Sequence, residues 1–323
     1  MKIKDIGGEL GLIKNLAKIA GRSDVDLVAG IGDDAAVIRT APEPAPYLLV
    51  TTDLLVEDRH FKRQWCTPEQ IGLKAVTSNV SDIAAMGGRP TWMFVSLVLT
   101  AQTDASWIEN LYRSMTRVCQ RYGIIIAGGD TTQGSEIAIN ITLLGSVAQN
   151  NLCLRSHARA GDVIMVSGSL GASAAALALM EKGRQPSAYL LAKYCTPDCR
   201  LDIIEYIAPL AHAMIDISDG LGSEIQHICN QSHLGAEIVS DRIPLHPDVH
   251  QAGVLLGVDP VLFALQGGED YELLFTTSPE KAKLIDKHTS GCYRIGVITQ
   301  EKELALIHPD GQRSSMPGGY NHF

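Results

Sequence analysis

The stretch YLLVTTDLLVEDRHFKRQWCTPEQIGLKAVTSNVSDIAAM, residues 47–86, decides the fold class. Its opening, YLLVTTD (47–53), is a short apolar run rich in strand formers and reads as a buried strand ending on Asp53. From 68 to 86 the apolar residues Ile71, Ala75, Val76, Val80, Ile83 and Ala84 recur at helical spacing. Thr67 is placed to N-cap this helix, with Pro68 at its first position and Gln70 completing a capping box. Gly87 and Gly88 stop it, and Pro90 follows. Lys74, Ser78 and Asp82 recur every fourth residue and share a second face. A strand bearing one carboxylate thus feeds a helix bearing another.

The pattern continues outward. Residues 92–100 read as a strand and 104–122 as an amphipathic helix with Trp107, Ile108, Leu111, Met115, Val118 and Cys119 inward. Strand 124–127 runs into Gly128-Gly129-Asp130, and 136–147 alternates as a further strand. QNNLCLRSHARA (149–160) is polar and basic, and here the boundary is set between an N-terminal domain, 1–148, and a C-terminal domain, 149–323. The second half restarts with the strand GDVIMVSG, a glycine turn and an Ala-rich helix at 172–182. MIDISDGL leads into another helix; AEIVS, YELLF and finally 292–299 read as strands. Pro247 between His246 and His250 points to a solvated loop. Strands and helices mixed in both halves predict two α/β or α+β domains, and 323 residues suit two domains of about 150 each.

The bulk numbers exclude several classes. The net charge of −9, with no basic run, argues against a nucleic-acid binder. The apolar run Trp92–Leu99 is too short to cross a bilayer, and MKIKDIGGEL lacks the apolar core of a signal peptide. Seven cysteines, an odd and mostly scattered set, fit reduced thiols better than a disulfide framework. The expectation is a cytoplasmic protein.

Six segments share one design: GIGDDAAV (30–37), TTD (51–53), SD (81–82), GGDTT (128–132), DISDG (216–220) and GGEDYE (267–272). Each sets carboxylates beside Gly, Ser or Thr, mostly after an apolar strand. Any one alone reads as a turn or a helix cap. Together they suit a Mg²⁺–polyphosphate site: short acidic side chains supply hard oxygen ligands, and glycines let backbone approach a phosphate. Packed carboxylates repel one another, and cations remove that cost. No Walker A motif, protein-kinase motif set, G-x-G-x-x-G fingerprint or EF-hand spacing occurs.

As a set, the motifs GIGDDAAVI, TTDLLVE-x-x-HF, SDIAAMG-x-RP, GGDTT-x-G, RSHARAGD, DISDGL, GGEDYELLF and the closing HF resemble the thiamine-monophosphate kinase family, within the aminoimidazole ribonucleotide synthetase superfamily. The resemblance implies an α/β (α+β) two-domain subunit whose N-terminal mixed sheet joins that of a second copy in a barrel-like core. It implies Mg²⁺ near Asp33, Thr51, Thr52, Asp53, Asp82, Asp130, Asp216 and Asp219. It implies ATP contacts from Tyr112, Gly129, Asp130, Arg155 and Ser218, and thiamine monophosphate contacts from His60, Glu269 and Tyr320. Where the family has E-G-V-H-F, this chain has Glu57-Asp58-Arg59-His60-Phe61. The implied acceptor is a phosphate oxygen, largely dianionic at neutral pH, so no general base is expected. Direct in-line transfer is expected instead.

Overall fold

The computed structural model describes residues 5, 8–20, 24–42 and 44–320; the closing His322-Phe323 lies outside them. After helix α1 (Gly8–Ala20), the first sheet takes β1 (Leu27–Ala29), β2 (Ala36–Ile38), β3 (Tyr47–Val56), β4 (Arg89–Leu99), β5 (Ile125–Gln133) and β6 (Ala138–Val147). Their order is β1-β2-β3-β6-β4-β5. Only β4 and β5 run parallel. Helices α2 (Pro68–Ala85) and α3 (Ala105–Tyr122) pack together beside it.

The second sheet has the order β13-β12-β9-β11-β7-β10-β8. Its strands are β7 (Val163–Ser167), β8 (Ala213–Asp216), β9 (Gly235–Val239), β10 (Leu273–Thr277), β11 (Cys292–Thr299), β12 (Leu304–Ile307) and β13 (Arg313–Ser315). Helices α4 (Ala172–Glu181), α5 (Ala188–Cys195), α6 (Ile204–Ile207), α7 (Leu221–Ser232), α8 (Pro247–Leu256), α9 (Val261–Gln266) and α10 (Pro279–His288) accompany it. Two mixed sheets with helices make the two-domain α/β architecture expected from sequence.

The capping box of α2 is complete. The Gln70 N–H donates to Thr67 Oγ1, and the Thr67 N–H donates to Gln70 Oε1 at 2.8 Å. Such a cap stabilises by about 1 kcal/mol. α2 is not amphipathic in its surroundings. Lys74, Thr77, Ser78, Asn79 and Ser81 are buried along with Ile71, Val76 and Ile83, because sheet one covers one side and the second unit the other.

Four readings are corrected. Asp53 does not end its strand, since β3 continues to Val56, nor does GGDTT form a turn, since β5 runs on to Gln133. Residues 292–299 are not the last strand, because β12 and β13 follow. Pro247 opens α8 rather than breaking a helix, and His246 N-caps it by accepting from the Asp248 N–H.

Candidate active site

Strand alternation divides the candidate residues of sheet one between its faces. Thr51 and Asp53 point inward toward α2. Thr51 Oγ1 donates to Asp82 Oδ2 at 2.5 Å. Thr52 points outward, where it bonds Asn140 Nδ2 at 3.0 Å and Thr142 Oγ1 at 3.2 Å. Pairing carries the outward face across the sheet through Leu54↔Asn140, Asn140↔Ser96 and Ser96↔Asp130. Asp130 therefore lies on the outer face, with strands β6 and β4 between it and β3. Three strand spacings are about 14 Å. Gly129, Asp130 and Tyr112 share an open depression beside β5, separate from the main cavity.

On the inner side the carboxylates converge. One oxygen each from Asp34, Asp82 and Asp216 lie within 4.8 Å of one another. Asp53 stands close enough to repel Asp82. Asp216 Oδ2 is buried and makes no hydrogen bond among the described residues. Arg155 answers part of this charge. Its Nη2 donates to Asp34 Oδ1 at 2.6 Å, its Nη1 to Gly32 O at 3.0 Å, and its backbone N–H to Asp33 Oδ1 at 3.4 Å. Arg155 is therefore engaged with the acidic loop and is not a solvated linker charge.

The segments DISDG and GGEDYE meet backbone to backbone. The Glu269 N–H donates to Ser218 O at 2.8 Å and the Tyr271 N–H to Ile217 O at 3.0 Å. A Cβ on Gly268 would lie 1.9 Å from Ser218 O, and one on Gly220, at φ +103°, 2.4 Å from Gly267 O. Only glycine fits these approaches. The three acids of GGEDYE then separate. Asp270 Oδ2 accepts the Gly171 N–H at 2.7 Å, below α4. Glu272 is held by Ser167 Oγ at 2.9 Å and Arg200 Nη1 at 3.2 Å. Glu269, at φ +62°, faces the cavity and accepts from Lys74 Nζ at 2.6 Å.

That cavity, of about 550 Å³, lies between the two units. Asp53, Asp82, Asp216 and Asp219 form its acidic end, with Ser218 beside them. Ala174, Leu177, Leu262 and Phe263 add an apolar lining. Tyr194, Tyr271 and Tyr320 line the cavity too, Tyr271 close to Asp53, Asp82 and Asp216, and Tyr320 with its N–H donating to Asp219 O at 2.9 Å. His60 and Glu269 also line the cavity. At the family's glycine position Asp58 adopts φ +63°, a left-handed conformation that aspartate tolerates. The turn is closed by the Asp58 N–H donating to Phe61 O at 2.8 Å, and His60 Nδ1 accepts the Val56 N–H at 3.0 Å. Arg59 brings a cation to the same cavity wall.

Two residues escaped the sequence reading. Asp34 adjoins the assigned Asp33, and its chemistry was visible in GIGDDAAV; only the fold tells which aspartate reaches the cluster. Lys74 was visible only as a member of the face shared with Ser78 and Asp82.

Burial raises Asp82 and Asp216 well above the carboxylate range, with neighbouring carboxylates adding to it. Burial and then Asp34 push Asp33 up to about 6. Burial and then Asp219 push Glu224 up to about 8. Orphaned acceptor atoms and mutually repelling hard oxygens fit a divalent cation. Without one, the folded chain holds protons that the unfolded chain has lost at neutral pH. The stability these groups contribute is present below their ordinary values and is lost as pH rises through about 6 to about 8. Buried His227, lowered to about 4, works the other way only below its ordinary value of 6.5. Thermal melts of metal-free protein should therefore fall between about pH 6.5 and pH 8. Millimolar Mg²⁺ should raise the melting temperature more at the upper end. A flat profile, unchanged by Mg²⁺, would contradict the cluster.

Comparison with known proteins gives the same assignment as the motifs. Residues 32–147 match the N-terminal domain of AIR synthase related proteins, and 159–309 match the C-terminal domain. The thiamine-monophosphate kinase of Aquifex aeolicus is 38% identical over 327 residues, covering 100% of both chains. That of Buchnera aphidicola (Schizaphis graminum) is 35% identical, covering 98% of each. The structure of AaThiL complexed with AMPPCP and TMP superposes with a TM-score of 0.88 at 34% identity, covering 100% of this chain and 99% of that one. On the strength of full-length identity and a shared fold, the chain belongs to the thiamine-monophosphate kinase family.

Proposed function

We propose that this kinase transfers the γ-phosphoryl group of ATP to the phosphate of thiamine monophosphate, giving thiamine diphosphate and ADP. The observation that carries this reading is a single cavity that combines an acidic, cation-ready cluster with an apolar and aromatic lining. The first suits clustered phosphates and the second a flat heteroaromatic body. The AaThiL structure, complexed with AMPPCP and TMP, supports the same pair of ligands.

Asp34, Asp53, Asp82 and Asp216, with Thr51 against Asp82, would hold Mg²⁺; Asp33 and Asp219 lie at the margins. Bound there, Mg²⁺ supplies neutralising charge to the phosphates. The chain's own residues do the positioning. Ser218 and Arg155 are assigned to ATP, and His60, Glu269 and Tyr320 to thiamine monophosphate. No side chain needs to remove a proton, because the acceptor phosphate is already largely dianionic. The apolar lining keeps water from competing as the acceptor.

Thr52, Asp130, Gly129 and Tyr112 enter this reading through a second copy. The outer face of sheet one exposes Leu54, Trp92, Phe94 and Ile125, an apolar row unusual on a lone subunit. In the homodimer we infer, that face joins its equivalent, and the Tyr112–Asp130 depression serves the other copy's nucleotide. The division at 148/149 then assigns dimerisation and most metal ligands to the first domain, and substrate closure to the second. Seven free thiols support a cytoplasmic setting, and among the described residues no helix is long and apolar enough to cross a membrane.

Stereochemistry tests the single transfer. ATP made chiral at its γ-phosphate should give thiamine diphosphate with inverted configuration. Retention would mean a phosphoenzyme and overturn direct transfer.

A further inference from the structure

The seven cysteines include one pair that the proposed reaction does not use. Cys66 Sγ and Cys195 Sγ lie 3.2 Å apart, although 129 residues separate them in the chain. Cys66 closes the loop between His60 and the Thr67 cap of α2, in the first unit. Cys195 ends α5, in the second. Both are buried, 3% and 1% exposed. The contacts around them also cross between the units. The Trp65 ring meets Tyr194 edge-on at 6.4 Å, and Lys74 Nζ sits 4.5 Å from the Tyr194 ring centre. Cys66 also lines a surface depression with Arg63, Trp65, Thr67 and Trp107, which gives a small oxidant a route to one sulfur.

We infer that Cys66 and Cys195 form a dithiol that hydrogen peroxide converts to a disulfide joining the two units beside the cavity. The sulfurs need to approach by only about 1 Å to reach bonding distance. The pair first loses one proton. The Cys66 sulfur attacks a peroxide oxygen, the O–O bond breaks, and the departing hydroxide becomes water. The Cys195 sulfur, giving up its proton, then attacks Cys66. The S–O bond breaks and the second oxygen leaves as water. Two thiols and one peroxide thus give one disulfide and two waters. Closing so long a loop constrains the unfolded chain strongly. Tyr194, next to Cys195, would be held against the cavity wall.

The test is graded peroxide treatment of the full-length protein, digestion without reductant, and mass spectrometry. The expected product is one linked peptide pair containing residues 66 and 195, lighter by two hydrogen atoms. It should form no later than oxidation of Cys292, the only cysteine that is not buried. The oxidised protein should melt at a higher temperature, and dithiothreitol should reverse both changes. Cys66→Ser and Cys195→Ser should each remove the linked pair and the melting shift. Oxidation of Cys292 with residues 66 and 195 still thiols would overturn the inference. So would a linked pair that leaves the melting temperature unchanged.

Discussion

Asp82→Asn is expected to lower turnover by about a thousand-fold while leaving the metal-free protein at least as stable as the parent. The loss follows from the position of Asp82, whose oxygen groups with those of Asp34 and Asp216 and accepts from Thr51. Removing one charged ligand forfeits several kcal/mol of charge stabilisation, and each 1.36 kcal/mol is about tenfold in rate. The stability result runs opposite to ordinary core damage. In the metal-free fold Asp82 is a buried carboxyl pushed well upward by burial and by Asp53, Asp216 and Asp34. A neutral amide of the same shape ends that repulsion. Assays at saturating substrate, paired with melts in chelator, check both halves. Near-normal turnover, or a collapse of the metal-free melt, would remove Asp82 from the cluster.

Lys74→Met should lower the melting temperature by about 5 °C or more and raise KM for the phosphate acceptor more than it lowers kcat. Lys74 is 1% exposed and donates to Glu269 Oε2 at 2.6 Å and to His60 O at 3.0 Å. It thus ties two cavity residues, one from each unit, to helix α2. Taking one charge from such a pair costs about 3 kcal/mol, because the partner stays behind in low dielectric. Glu269 also loses the contact that fixes its carboxylate at φ +62°. A double-mutant cycle with Glu269→Gln isolates the pair from general damage. Additive effects would show that the two side chains act independently.

The frame was legible because its signals are local. Thr67, Pro68 and Gln70 start α2 with a mechanism any reader of the chain can apply. Gly123, at φ +72°, ends α3 where expected. The alternating strands were equally clear. What stayed hidden depends on residues far apart in the chain. Lys74 and Glu269 are 195 positions apart, so no window joins them. The polar residues of α2 could be read only as a second face, because periodicity records one buried side, and this side is covered only when the other unit docks. GGDTT looked like a turn because glycine favours turns. Here the parallel partner β4 holds it extended, with a Cβ at Gly129 barred by Val95 O at 1.8 Å.

The acidic motifs were found as a set, yet their division between sheet faces was not. Alternation puts Thr51 and Asp53 inward and Thr52 outward, but that assignment requires knowing which face is covered. Asp130 shares the outward face through three strand pairings that only the register reveals. The residues taken from the resemblance therefore separate: most line or adjoin the acidic cleft, Thr52 and Asp130 lie on the outer face of sheet one, and Tyr112 and Gly129 share the depression beside β5 with Asp130.

The most direct test is a coupled assay of the purified protein with thiamine monophosphate, ATP and Mg²⁺. Thiamine diphosphate and ADP are expected in equal amounts, with no product in chelator and recovery when Mg²⁺ is restored. ADP without thiamine diphosphate, or product formation unaffected by chelation, would contradict the proposed transfer.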